Sequence, residues 1–276
     1  MVSVCAVLVG CAGDEAVDTQ SVHTATATVT RTVTHHAAPA LPTVDAAAYA
    51  HRLPTTFGLH LPGITDTVPT SPGVRTIALT FDGCGGPHGS GVDADLLDAL
   101  RQHRVPATLF VSESWVLANP DLTRELVADP LFRVENHGTR HLPLSVNGHA
   151  AYGIPGTQNA GEVIEEIAGN RDLLSDFGVQ STWFRAGTAH YDDVSVDIAR
   201  DMGVRIAGFH VNGDDGAQAD AATVASRVME APDGSIILAH FNHPGAGTGP
   251  GVRRALEQLD RETTRFVFLD GTAPDS

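Results

Sequence analysis

The sequence predicts an α/β fold built on a parallel sheet, and three observations carry that prediction. From Val74 onward, short β-branched or aromatic runs alternate with amphipathic segments. Glycine and proline punctuate the junctions, at Pro120, Gly178, Gly203 and Pro232. The polar residues capable of chemistry fall just after the strand-like runs, as they do where βα loops share one rim. A barrel and an open doubly wound sheet both satisfy this pattern.

The strand candidates are residues 76–81, 107–111, 132–135, 182–184, 204–211, 235–239 and 265–269. Among the helical candidates, residues 93–104 carry Leu96, Leu97 and Leu100 on one face, and residues 163–177 carry Ile164, Ile167 and Leu174. Asp82 follows the first strand, Asn136, His137 and His141 the third, and Arg185 the fourth. Asp214 and Asp215 follow the fifth, and His240 ends the sixth. Glycine-rich loops at 83–91, 148–161 and 245–251 follow strands one, three and six and ring the same mouth.

Composition narrows the chemistry. A chain of 276 residues makes one large domain or two small ones, and 42% hydrophobic content with 28 Gly and 16 Pro describes a globular protein rich in turns. With 17 basic and 33 acidic residues the net charge is −16, which argues against a nucleic-acid partner held through phosphates. Every basic residue is arginine. The absence of lysine excludes a P-loop, a Schiff-base enzyme and a kinase-type phosphate clamp. Acids and 14 histidines remain, and they suit hydrolysis.

The first eleven residues are small and apolar, and no run is long enough to span a membrane as a helix. Leu8-Val9-Gly10-Cys11 resembles a bacterial lipobox, although the basic segment of a signal peptide is missing. That resemblance implies a leader over 1–11, acylation of Cys11 as the one link to a membrane, and an extracytoplasmic location, lipid-anchored or secreted. Residues 12–73, rich in Thr, Ala and Pro, read as a disordered stalk, in which His23, His35 and His36 are linker residues. The folded domain is then expected over 74–271. Three cysteines give no disulfide framework, and once Cys5 and Cys11 are assigned to the leader, Cys84 stands alone beside the polar rim.

Each polar group has an ordinary reading by itself. His137 and His141 stand one turn apart, as metal ligands often do, but a chain with 14 histidines forms such pairs by chance. His240 on an apolar strand could be a hydrogen-bonded core histidine, Arg185 a structural ion pair, and Asp214-Asp215 a turn. Their order says more. Thr80-Phe81-Asp82-Gly83-Cys84-Gly85-Gly86, Asn136-His137-Gly138-Thr139-Arg140-His141, Trp183-Phe184-Arg185-Ala186-Gly187, Val211-Asn212-Gly213-Asp214-Asp215 and Leu238-Ala239-His240 together resemble the motifs of the polysaccharide deacetylases, carbohydrate esterase family 4. The likeness covers about residues 74–269.

The resemblance implies a distorted parallel (β/α)7-type barrel that removes N-acetyl, sometimes O-acetyl, groups from polymers such as peptidoglycan or chitin. It implies Asp82 as general base, His240 as general acid, and His137 and His141 as ligands of a divalent metal. It implies Arg185 as the residue that orients the base, and Asp215 or its neighbour Asp214 as the one that tunes His240. In that chemistry the metal polarises the carbonyl and acidifies water, the base takes the water's proton, and the acid protonates the leaving amine.

One position departs from the pattern. Gly83 falls where the family carries its carboxylate metal ligand. Asp82 itself, the thiolate of Cys84 or additional waters could complete the shell, and loss of metal and activity is a fourth outcome. Asp82 is the favoured third ligand, because an exposed thiolate outside the cell oxidises readily. Zinc is the expected metal, and a thiolate would favour it further. The competing readings are a surface module of the same fold that grips glycan without cutting it, and a hydrolase of small amides.

Overall fold

The computed structural model describes residues 42–274. The expectations for the leader, Cys5, Cys11 and the stalk up to residue 41, including His23, His35 and His36, lie outside the described residues.

Residues 42–73 are ordered against the domain, which corrects the boundary expected at Val74. Asp45 caps a 3-10 helix, Ala46–Tyr49, by accepting the Ala47 amide. Two short strands follow, β1 (Phe57–Gly58) and β2 (Ile64–Thr65). Few residues of this segment are large, but those few are placed well. Tyr49 and Val68 are buried, the Tyr49 hydroxyl donates to Asp201, and both the amide and the hydroxyl of Thr55 donate to Asp193. Directional hydrogen bonds hold this stretch where side-chain bulk is scarce.

The body of the chain runs β3 (Arg75–Gly83), α1 (Ala94–Gln102), β4 (Ala107–Val111), α2 (Glu113–Ala118), α3 (Pro120–Ala128) and β5 (Phe132–Asn136). It continues through α4 (Ala160–Asp176), β6 (Trp183–Phe184), β7 (Tyr191–Asp192), α5 (Asp193–Asp201), β8 (Arg205–Ala207) and β9 (Val211–Asn212). The last elements are α6 (Ala221–Met229), β10 (Ser235–His240), α7 (Thr248–Gln258) and β11 (Thr264–Phe266). The main sheet has the order β2-β8-β6-β5-β4-β3-β10-β9, with β11 beside the start of β3. All its strand pairs are parallel. It curls without closing by strand pairing. Thr67 instead bridges Ser235, and the Val68 amide donates to the Gly234 carbonyl, so the chain leaving β2 reaches the start of β10.

Strand parity sorts the side chains into two layers. Ile77, Leu79 and Phe81 of β3 join Leu109 and Val111 of β4, Ile237 and Ala239 of β10, and the helices in the larger core. Ala78, Phe110, Trp183, Ala207 and Ile236 form a separate cluster on the inner side of the curl. Both faces are covered, so these strands read as nearly continuous apolar runs. Thr80, Asp82, Leu238 and His240 share the inner parity, which carries the polar residues to the rim.

The run 204–211, expected as one strand, is two. β8 pairs with β6 and β2, whereas β9 pairs with β10. At the break Arg185 donates Nε to the Ala207 carbonyl at 3.2 Å and a terminal nitrogen to the Gly208 carbonyl at 2.9 Å, so a side chain takes those acceptors. The helices start as their sequences suggest. Asp93, Ser112, Asn159, Asp192 and Asp220 cap α1, α2, α4, α5 and α6 by accepting an early amide.

Glu135 on β5 is buried, and one of its oxygens accepts from the Ser181 hydroxyl and the Thr182 and Trp183 amides. It thereby holds the entry to β6, whose ladder with β5 has one register pair, Asn136 with Phe184. Burial raises this carboxyl to about 7 against an ordinary 4.5, because the three donors and Arg205 offset only part of the desolvation. The folded state therefore keeps a proton that the unfolded chain releases. Stability from this site is complete below the unfolded value and is lost as pH rises through about 7. Urea titrations should show a loss of up to about 3 kcal/mol across that window, absent in Glu135→Gln. Equal pH slopes in the two proteins would contradict this assignment.

Candidate active site

Asp82 closes the inner face of β3 and is 3% exposed. Its Oδ1 accepts from Arg185 at 2.8 Å, and the same guanidinium nitrogen donates to Thr80 Oγ1 at 2.9 Å. Arg185 is fully buried, with the Phe110 ring 4.4 Å from its guanidinium carbon. Burial works against an ionised Asp82, but Arg185, with His137 and His240 behind it, brings the carboxyl below its usual range. A buried anion is therefore ready to accept a proton through Oδ2.

His137 and His141 follow β5. His137 Nδ1 lies 2.9 Å from the Arg185 carbonyl, which fixes Nδ1 as the protonated nitrogen and leaves the Nε2 lone pair facing the site. His141 has a left-handed backbone, φ 61°, and its ring stands nearly perpendicular to that of His137, centroids 4.7 Å apart. The loop is shaped from below by Glu166 of α4, which is fully buried and accepts from the Arg140 and Leu142 amides. Asn136 accepts from the Gly138 amide and from Asn170, whose side chain also donates to the Val111 carbonyl. Gly187 lets the third motif approach: a Cβ there would sit 2.2 Å from the His141 carbonyl oxygen. Glu166 and Asn170 of α4 carry the loop and lie outside the sequence motifs, since nothing local marks a polar helix residue as facing inward.

The donors fit a divalent cation. Cys84 Sγ and the ring nitrogens of His137 and His141 all lie within 4.8 Å of one another, and His141 Nε2 is buried without any hydrogen-bond partner. Asp82, the favoured third ligand, is not part of this group. Its Oδ2 is 3.6 Å from His137 Nε2, while its other oxygen is bound by Arg185. Cys84, not Asp82, shares this group with the two imidazoles.

His240 ends β10 directly beside Asp82 in the parallel register. Its Nδ1 lies 3.0 Å from Asp214 Oδ1, and its amide donates to Asp214 Oδ2 at 2.7 Å. Thr248 of α7 donates to the same Oδ2. Burial opposes the imidazolium, but Asp214 and Cys84 hold His240 well above its ordinary range. This corrects the preference for Asp215. Asp215 has φ 52°, lies at the cleft wall and pairs with Arg227 at 2.9 Å, not with His240, its side chain 51% exposed. Asp82, Cys84, His141 and His240 open into one cleft of about 530 Å³, with His243 and Tyr152 at its walls. Tyr152, 79% exposed, rises from a tight turn and rests edge-on against His190.

The sequence pattern of the family described as polysaccharide deacetylase matches residues 70–207, and the chain belongs to that family. It is 30% identical over 208 residues to a peptidoglycan-N-acetylglucosamine deacetylase of Listeria monocytogenes, a match that covers 74% of this chain and 40% of that protein. The chain thus spans about two-fifths of the length of this curated relative. A family 4 carbohydrate esterase from Streptomyces lividans, solved with acetate, superposes with a TM-score of 0.58 at 23% identity, covering 73% of this chain and 98% of that one. A pseudoenzyme of the same esterase family from Bacillus anthracis superposes at 0.58 with 20% identity, covering 77% of this chain and 72% of that one. Both likenesses concern the fold.

The loop scaffold can be tested apart from catalysis. Glu166→Ala removes the acceptor for two backbone amides beneath His141. Zinc affinity should fall by about 10–100-fold, and stability by about 1–3 kcal/mol, as read by competitive metal titration and urea unfolding. Unchanged zinc affinity would remove Glu166 from the support of the site.

Proposed function

We propose that this protein is a metal-dependent hydrolase that removes N-acetyl groups from an envelope or extracellular polysaccharide such as peptidoglycan. The observation that carries the reading is a pairing. A carboxylate held ionised by Arg185 and an imidazole held protonated by Asp214 occupy adjacent rungs of β3 and β10, beside the two histidines. Adjacent strands place their backbones about 5 Å apart, a separation that one acetamide group can bridge. A module that only bound glycan would have no use for a base and an acid aimed into one cleft.

A divalent cation held by His137 and His141 would supply the Lewis acidity that polarises the acetyl carbonyl and acidifies water. Asp82 takes a proton from the attacking water through its free oxygen, while Arg185 keeps the other oxygen in place. The His240 proton then goes from Nε2 to the departing nitrogen, because Nδ1 is committed to Asp214. The C–N bond breaks as that nitrogen becomes an amine, and acetate remains. At the cleft rim Tyr152 offers an exposed aromatic face suited to the apolar side of a pyranose ring. The Listeria relative, named for peptidoglycan N-acetylglucosamine, supports the substrate class. An extracytoplasmic, lipid-anchored or secreted protein would meet that substrate, and among the described residues no helix is long and apolar enough to cross a membrane.

Asp82→Asn and His240→Ala should each lower turnover by about 10²–10⁴-fold with the fold intact. Asp214→Asn should move the alkaline limb of the pH–rate profile to lower pH, because His240 then releases its proton earlier, whereas Asp215→Asn should leave the profile in place. Near-normal turnover in Asp82→Asn or His240→Ala would remove that residue from the mechanism.

A further inference from the structure

We propose that Cys84 is a ligand of the metal, so that the centre consists of one thiolate and two imidazoles and selects a thiophilic cation. The inference deepens the hydrolase reading and rests on it for the purpose of the metal, though not for its position.

Residues 82 and 84 face the site, and residue 83 lies between them. Asp82 faces the inner side, and Gly83 faces the helical layer. A Cβ on Gly83 would lie 2.8 Å from Phe241 Cε1 and 3.3 Å from Trp115 Cγ, two rings packed with centroids 5.0 Å apart. In this chain the space a side chain at residue 83 would need is filled by those rings. Residue 84 returns to the inner side. Its Sγ lies 3.8 Å from His137 Nε2. A tetrahedral ion with nitrogen at about 2.1 Å and sulfur at about 2.3 Å would set those two atoms roughly 3.6 Å apart, close to the separation found.

The thiol is aimed by its loop. Ser112 donates its hydroxyl to the Cys84 carbonyl at 2.7 Å, and the Ser112 amide donates to the Gly83 carbonyl at 3.1 Å. The Gly85 amide is tied to the Gly89 carbonyl at 2.9 Å, and Gly85 itself takes φ 75°. A Cβ on Gly85 would lie 2.1 Å from Ser114 Oγ, so the close turn depends on glycine. Opposite the sulfur, His141 Nε2 is buried with nothing to bond. A buried polar atom without a partner is costly unless a ligand satisfies it. Two imidazoles and a sulfur form a donor set for zinc, whereas magnesium, calcium and manganese prefer oxygen.

The test uses the full chain stripped of metal and titrated with cobalt(II), then zinc. Cobalt bound to the wild type should give a thiolate-to-metal charge-transfer band in the near ultraviolet that is missing in Cys84→Ser. Zinc affinity of Cys84→Ser should fall by about 100-fold or more, at least the upper end of what losing an outer-shell partner costs. Cys84→Asp, checked by circular dichroism to be folded, should bind without the band and gain affinity for manganese relative to zinc. A wild type that binds one cobalt ion at the His pair with no such band, or a Cys84→Ser protein with unchanged zinc affinity, would overturn the assignment. Loss of metal in His137→Ala together with its retention in Cys84→Ser would overturn only this inference. A thiolate band in a protein that releases no acetate would sustain it and overturn the hydrolase reading.

Discussion

The buried ion pair between Arg185 and Asp82 is the constraint on which the rest of the site depends. Arg185 has no exposed surface, and its side chain binds Asp82, Thr80 and the carbonyls of Ala207 and Gly208. Its own carbonyl orients His137. One residue therefore favours the ionised Asp82 carboxylate, sets the tautomer of the His137 imidazole, and binds the carbonyl at the end of β8. Removing one member of such a pair typically costs about 3–5 kcal/mol, because the partner charge stays buried and uncompensated. The pair persists as a unit or not at all. The chemistry and the local fold are thus parts of one arrangement.

A second arrangement mirrors it across the strand boundary. Asp214 is fully buried and binds both the ring and the backbone of His240, with Thr248 supporting it from α7. One pair favours an anion and the other a cation, and the parallel register of β3 and β10 sets them side by side. Parity does the remaining sorting. Inner positions of each strand lead to the rim, and outer positions join the helical core. Gly83 and Cys84 differ by one residue and so belong to different layers, which is why a chain with no side chain at 83 can still present a donor at 84.

Much of this was legible in the sequence, because a parallel sheet writes its rim as polar residues after apolar runs. The run 107–111 became β4 with both ends unchanged, and Asp82, His141 and His240 open into one cleft, with His137 and Arg185 buried against Asp82. What escaped depended on contacts distant in the chain. Residues 42–73 resemble a linker in composition, yet Tyr49 and Thr55 find partners on α5, more than a hundred positions away. The break in 204–211 falls where Arg185, distant in the chain, binds the Ala207 and Gly208 carbonyls. Asp214 and Asp215 are equivalent by type, and only the left-handed turn at Asp215 sends one inward and the other to Arg227. Asp82 and Cys84 share one strand parity, so only the three-dimensional positions of their donor atoms distinguish them: the Cys84 sulfur lies with both imidazoles, while one Asp82 oxygen is bound by Arg185.

The proposed reaction of this cleft is hydrolysis of an acetamide on a glycan. It is tested most directly by incubating the zinc-loaded protein with N-acetylated chitooligosaccharide and with peptidoglycan, and measuring released acetate and newly formed amine in the same sample. Acetate and amine should form in equal amounts, with the sugar chain length unchanged. A folded, zinc-loaded protein that releases no acetate from either polymer, or that shortens the chain instead, would contradict it.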